Sequence, residues 1–356
     1  MATWSFGFGA GAGGHPTGSL TQAACYPLRV LTLLLACTPT PGGHDTAMGG
    51  QDTAPADDAL VVVTFNTGTT EGIAQQEDGD GYGPEQAALS DLYYGDGLAW
   101  SAAVQTTRAF LAQVQPDIIA FQEIFWSGEC PGIPTQAWPG FVCEAWQQGD
   151  PTVAQVILGE GYQVACHPDK PDKCLAVRTA RGRFAGCEED LCLDGLDGFP
   201  VEGCGSGARV ARGRIEDLDL TVVGFHGSSG VEPEEQACRV AQVEQVFLDL
   251  GDGRPGADGA RNLVLGDLNT DPSRFADFDE SAARWNDFVG EGLPWQWITQ
   301  VGPDAPGSYG GLVDIDHVAS DSFAGACWHG GLDGQPEPYA YALFDHRPVV
   351  CTVIPR

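Results

Sequence analysis

The stretch Asn262–Asn269, NLVLGDLN, decides how this chain is read. Leu263, Val264 and Leu265 make a short apolar run bounded by Asn262 and Gly266, the composition of a buried strand. A strand placed there delivers Asp267 and Asn269 at its C-terminal tip. A lone carboxylate buried behind such a run costs several kcal/mol, so Asp267 needs company. Working outward, the same pattern recurs in VVVTFNT before Asn66, IIAFQEIF around Gln122 and Glu123, and VVGFHGS around His226. It returns in IDHVAS with Asp316 and FDHRPV with Asp345 and His346. Together these tips line one rim with acid, amide and imidazole side chains.

Several carboxylates on one rim call for a cation. Hard divalent ions such as Mg²⁺ take carboxylate and amide oxygens, keep some waters and accept a phosphate oxygen as a further ligand. Glu123, Asp267, Asp345, Asn66 and Asn269 supply oxygens of that kind. Imidazoles such as His226 and His346 suit a different task, donating to a phosphate oxygen or moving a proton near neutral pH. The combination reads as phosphoester hydrolysis.

In content and order these motifs (FNT, FQE, FHGS, GDLN, IDHV and DHRPV) resemble the endonuclease/exonuclease/phosphatase superfamily, also called deoxyribonuclease I-like. The resemblance runs from about residue 59 to the C-terminus. It implies an α/β (α+β) fold, a four-layer sandwich of two packed mixed β-sheets flanked by helices, with the active site where both sheets present strand ends. Such proteins hydrolyse phosphodiesters or phosphomonoesters with Mg²⁺, or with Mn²⁺ or Ca²⁺. Carried over by position, the resemblance makes Glu123 the principal metal ligand with Asn66 beside it, and gives Asp345 and Asp267 further metal contacts. It has Asp267 and Asn269 hold or deprotonate the attacking water, Asp316 orient His346, and His226, Asn269 and His346 meet the substrate phosphate. In-line attack of water on phosphorus is the implied reaction.

Some positions depart from the family pattern. Asp314 and Asp316 lie two apart and share one face of a strand, so either one competes for His346; Asp316 is preferred. Phe344 replaces the Ser usual before the last Asp-His. Gly68 stands where some abasic-site nucleases carry an acid, which counts against that activity. His317 points away from Asp316 and is expected to be structural. The Asp78–Gly83 segment resembles a calcium loop but lacks its later acids, and is read as a glycine-rich surface loop. Trp295 and Trp297 alternate in LPWQW and are expected to pack at the core or rim rather than anchor lipid.

Helical spacing of apolar residues appears over Leu98–Val114 and again from about Glu234 to Leu250. Each helix lies between two of the strands, giving two strand–helix–strand units. Among 12 cysteines, Cys25 and Cys37 fall in the N-terminal segment and ten remain, an even number that implies disulfides in an oxidising compartment. Cys130 with Cys143, Cys166 with Cys174, Cys187 with Cys192 and Cys327 with Cys351 are reasonable pairs, with other connectivities open. Seven of the ten lie in a Gly-, Asp- and Pro-rich stretch, about 126–209, expected to be a stapled insertion.

Residues 1–37 read as a targeting segment. Val30–Ala36 is too short to span a bilayer, and LLAC resembles a lipoprotein signal in which Cys37 takes the lipid. Residues 1–27 hold no Lys or Arg, unlike a normal leader, which suggests a start further along. Residues 38–58 read as a flexible tether to the domain at 59–356. The expected protein is a bacterial export product, a cell-envelope lipoprotein touching the membrane through its anchor or a secreted monomer. Its net charge of −32, from 17 basic and 49 acidic residues, argues against tight nucleic-acid binding. An arginine patch from Arg178, Arg181, Arg183, Arg209, Arg212 and Arg214 would favour a weakly binding, fast nuclease; the alternative is that these residues pair with nearby acids. The leading expectation is an extracellular nuclease. Behind it stand a sphingomyelinase or phospholipase C-like phosphodiesterase, a small phosphate-ester phosphatase and, from another class, an inactive surface binding domain.

Overall fold

The computed structural model describes residues 58–69, 81–95, 97–339 and 343–356. Cys37, the leader, the tether up to residue 57 and the start of the glycine-rich loop lie outside these residues. In chain order the first half contributes β1 (Leu60–Asn66), α1 (Pro84–Leu89), α2 (Ser101–Val114), β2 (Ile118–Gln122), α3 (Val153–Leu158), β3 (Tyr162–His167) and β4 (Lys170–Arg178). The two-residue β5 (Leu191–Cys192) and β6 (Asp197–Gly198), then β7 (Arg209–Ile215), β8 (Leu220–His226), α4 (Pro233–Phe247) and β9 (Arg261–Asp267) follow. The chain ends with α5 (Glu280–Phe288), β10 (Gln296–Trp297), β11 (Asp316–Ser320), β12 (Phe323–His329) and β13 (Val349–Pro355).

The strands form a seven-stranded sheet, ordered β12-β13-β1-β2-β4-β3-β5, and a six-stranded sheet, ordered β10-β11-β9-β8-β7-β6. Both are mixed: β1 runs parallel to β2 and β8 to β9, while β13, β4, β7 and β11 pair antiparallel beside them. Continuous apolar runs are what strands covered on both faces require. Alternate side chains divide between two cores. Val62, Ile118, Leu175, Val222, Leu265 and Val318 meet between the sheets. Val63, Phe65 and Phe121 face outward onto Val104, Phe110 and Leu111 of α2. On the far side Val223, Phe225 and Val264 lie under Val243 and Val246 of α4 and Trp285 of α5. Helix, sheet, sheet and helix make the four layers the resemblance implied.

Both expected crossover helices form. The first ends where Gln115 turns left-handed at φ 50°, and Pro116 cannot continue it. That break returns the chain into β2 and so to Glu123.

The ten described cysteines form five disulfides: Cys130–Cys143, Cys166–Cys174, Cys187–Cys192, Cys204–Cys238 and Cys327–Cys351. The cysteine-rich stretch is only partly external, because it contains β3 and β4, and β4 pairs directly with β2. Its strands escaped notice because their apolar runs are interrupted by cysteines that are themselves buried. Trp295 and Trp297 are half-buried, the first against Phe247 and the second against Trp285 and His317. Five of the six patch arginines pair with acids instead, Arg178 and Arg181 with Asp117, Arg183 with Asp190, Arg212 with Asp197 and Asp252, and Arg214 with Asp258. Arg209 alone lies on the site side, opposite His226.

Candidate active site

Strand register builds the site. Asn66 on β1 lies opposite Gln122 on β2. On the other sheet Asp267 on β9 lies opposite both His226 on β8 and Asp316 on β11. Each parallel pair is forced by its crossover helix, so four strand tips reach one rim. Asn66 closes the gap between the sheets, its Nδ2 donating to Oδ2 of Asp267 at 3.0 Å.

Asp267 is 1% exposed and heavily bonded. Its Oδ1 accepts from the backbone N–H of Asn269 at 2.8 Å, and its Oδ2 accepts from Nδ2 of Asn269 at 3.1 Å. Asn269 makes both bonds by adopting a left-handed backbone at φ 51°, a conformation Asn tolerates better than most side chains. Burial pushes the Asp267 carboxyl up to about 7, although His346 nearby pulls the other way.

Asp316 Oδ2 lies 2.7 Å from Nδ1 of His346. The other ring nitrogen, Nε2, faces Asp267 Oδ2 at 3.8 Å. Burial disfavours a charged His346, but Asp316 and Asp267 outweigh it and push the imidazole up to about 10. The ring therefore stays an imidazolium at neutral pH. The competition between the two aspartates resolves toward Asp316. Asp314 precedes the strand, and its Oδ1 lies 3.3 Å from Nε2 of His329 instead. His317 is structural as expected, held between the Thr299 hydroxyl and the Asp314 carbonyl.

His226 is buried, with Nε2 at 3.4 Å from Glu123 Oε1 and 3.6 Å from Asp267 Oδ2. Burial first, then Lys173 and His346, hold its pKa well below the ordinary histidine value, so the ring is neutral. Glu123 follows β2 in a left-handed conformation at φ 60° and keeps 27% of its side chain exposed. A Cβ on Gly68 would collide with Oε2 of Glu123 and come within 3.1 Å of Oδ1 of Asn66. Glycine there leaves room for two oxygens to converge, which is the donor set a hard cation takes. Asp345 is brought beside them, its backbone N–H donating to the Gly68 carbonyl at 3.3 Å.

Asp267, Asp316 and His346 also place potential ligand atoms within 4.8 Å of one another. The Asp316–His346 contact already engages one atom of each, so this trio is better suited to proton handling than to enclosing an ion.

Three contributors escape a motif reading. The buried Ser308 hydroxyl accepts from the backbone N–H groups of Ile315 and Asp316, at 3.0 and 3.1 Å, and so sets the start of β11. Tyr309 packs its ring 4.9 Å from that of His346. Gln242 on α4 donates to the His226 carbonyl at 2.8 Å and accepts from Ser228 N–H at 2.9 Å. Each is an ordinary residue that no motif singles out; the ring partner of Tyr309 lies far along the chain, whereas Ser308 acts on a strand start only seven and eight residues on.

No protein-family model and no curated protein matches this chain. Solved structures similar to it include the human Nocturnin catalytic domain with a bound sulfate, at 15% identity over 84% of this chain and 94% of that one, with a TM-score of 0.48. An endonuclease/exonuclease/phosphatase protein from Beutenbergia cavernae is similar at 16% identity, over 84% and 72% of the two chains, with a TM-score of 0.46. A humanized TDP2 from D. rerio is similar at 14% identity, over 83% and 99%, with a TM-score of 0.44.

Proposed function

We propose that this chain is an exported phosphoesterase that uses a divalent metal, with Mg²⁺ the first candidate and a phosphodiester the favoured substrate. The observation that carries the reading is the buried Asp267 carboxylate, held by Asn66 and Asn269 and facing the Asp316–His346 pair. A bound cation would sit against Glu123 and Asn66 and supply charge stabilisation for the phosphoryl oxygens. Asp267, poised near neutrality, accepts the proton of the attacking water. Asn269 and Asn66 keep its lone pairs aimed. His346, kept charged by Asp316, donates to a phosphoryl oxygen as negative charge builds there. His226, neutral and directed at Glu123 and Asp267, orders the rim between cation and water.

Ten paired cysteines support an oxidising compartment and hence export, with lipid attachment at Cys37 a part of the same proposal. Trp295 and Trp297 are half-buried rather than displayed as an exposed aromatic hairpin for a lipid surface, which supports a nuclease or small diesterase over a sphingomyelinase. The test is hydrolysis of bis(p-nitrophenyl) phosphate, plasmid DNA and sphingomyelin liposomes, with Mg²⁺ or EDTA, beside His346→Ala. Metal-dependent turnover that the variant loses supports the reading and selects the branch. Turnover insensitive to EDTA or to the variant would refute it.

A further inference from the structure

A cavity of about 310 Å³ opens beside the rim, and Glu123 forms one part of its wall. The chain has only two lysines, Lys170 and Lys173, and both line this cavity from the β3–β4 hairpin. In a protein of net charge −32, that placement is the feature to explain. Lys173 is 8% exposed and is matched by Asp172 at 2.5 Å. Lys170 makes no ion pair among the described residues. Asp169 is exposed at the mouth, whereas the Glu129 carboxyl is raised by partial burial and by Asp172 and is pulled down by the nearby Lys170, so Lys170 is the cation that Glu129 and Asp172 share. Trp126 supplies a flat, partly exposed wall. The cavity thus runs from Glu123 at the rim to the hairpin that carries both lysines, among the acids Glu129, Asp169 and Asp172. Its volume suits one compact group rather than a polymer strand.

We propose that this cavity takes a second anionic group of the substrate, a phosphate carried one small unit away from the phosphoryl group that is cleaved, with Lys170 meeting that second charge. An ammonium acts on phosphate as a point charge and needs no fixed fork geometry, which fits a lysine on a hairpin. The inference rests on the phosphoesterase reading and narrows it to small doubly charged esters, with the linking group lying against Trp126.

The test uses two chromogenic esters that differ in one phosphate: thymidine 5′-(p-nitrophenyl phosphate) and its 3′-phosphorylated form, each with Mg²⁺ and the disulfide-bonded chain. The 3′-phosphorylated ester is expected to be preferred about tenfold or more in kcat/KM, a difference set by one charged contact. Lys170→Ala should erase that preference through KM while leaving the other ester unchanged, and Lys170→Arg should restore most of it. Calorimetry with thymidine 3′,5′-bisphosphate against thymidine 5′-monophosphate reads the same subsite without turnover. A Lys170-dependent preference in binding with no hydrolysis would refute the enzyme reading and keep the subsite. Equal use and equal binding of the paired compounds, or a preference that survives Lys170→Ala, would overturn the subsite.

Discussion

The two crossover units, β1–α2–β2 and β8–α4–β9, use the same local devices and bury different things. Asn66 sits opposite Gln122 at the tips of the first unit, and His226 sits opposite Asp267 at the tips of the second. In each, the side chain at a tip caps the backbone two residues on: Asn66 Oδ1 accepts from Gly68 N–H at 2.9 Å, and Asp267 Oδ1 from Asn269 N–H at 2.8 Å. Each unit also leaves its second strand through a left-handed residue, Glu123 or Asn269. The difference is solvent. Glu123 keeps 27% exposure and can meet a cation from outside, whereas Asp267 at 1% must be satisfied by protein groups alone. Desolvation then raises its proton affinity and turns a carboxylate into a base. On the proposed mechanism, one motif type serves as a ligand in one unit and as a proton acceptor in the other.

Breaking the second unit should have the larger effect on chemistry. Asp267→Asn is expected to lower turnover of bis(p-nitrophenyl) phosphate by about 10²–10⁴-fold, the usual worth of a positioned base, with the Mg²⁺-induced rise in Tm retained in part. Glu123→Gln in the first unit should reverse the emphasis: the rise in Tm with added Mg²⁺ largely disappears, because a cation binding only the folded state stabilises by mass action. A Tm response to Mg²⁺ that Glu123→Gln leaves intact would move the cation to another part of the rim.

The helices of the two units differ as well. Arg239 of α4 is fully buried and bonds Ser281 Oγ, Asp279 Oδ2 and the carbonyls of Ser228 and Gly230, fixing the loop after His226. Arg239→Met leaves Asp279 buried without its cation, a loss of about 3–5 kcal/mol measurable by urea unfolding. Helix α4 also carries Cys238, tied to Cys204. Replacing both cysteines by alanine should cost about 2–4 kcal/mol, read the same way. The smallest effect concerns acid. Burial raises the Asp279 carboxyl, but Ser281, Thr270 and Arg239 outweigh it and hold the carboxyl below its ordinary value. Its contribution to stability is therefore present above the ordinary aspartate range and is lost as pH falls through the lower folded value. Asp279→Asn should lower Tm at neutral pH and flatten its decline in acid, as calorimetry across that range would show.

Most of the rim was legible, but not all of it as C-terminal strand tips. Asn66, Glu123, His226, Asp267 and Asn269 end or follow their strands, whereas Asp316 opens β11 and Asp345 and His346 precede β13. The antiparallel course of those two strands brings their starting ends to the same rim. Asn66, Glu123, His226, Asp267, Asn269, Asp316, Asp345 and His346 all reach the rim. Ser308, Tyr309 and Gln242 were not legible: Tyr309 and Gln242 matter through partners on other elements, and Ser308 through a loop turn that returns its hydroxyl to the start of β11. Likewise β3 and β4 were hidden by cysteines that act as small apolar residues inside the sheet.

Taken alone, the sequence determined the buried strands, the two crossover helices and an even set of bonded cysteines, because periodicity and composition encode burial directly; the layered architecture followed only from the ordered motifs and the family they resemble. Tertiary structure bore out the preference for Asp316 over Asp314 as the partner of His346, and it alone decided which acids Arg181, Arg183, Arg212 and Arg214 meet and that both lysines face one cavity beside Glu123. Those outcomes depend on distances between segments far apart in the chain, and electrostatic and hydrogen-bonding energies are set by such distances and by exclusion of water.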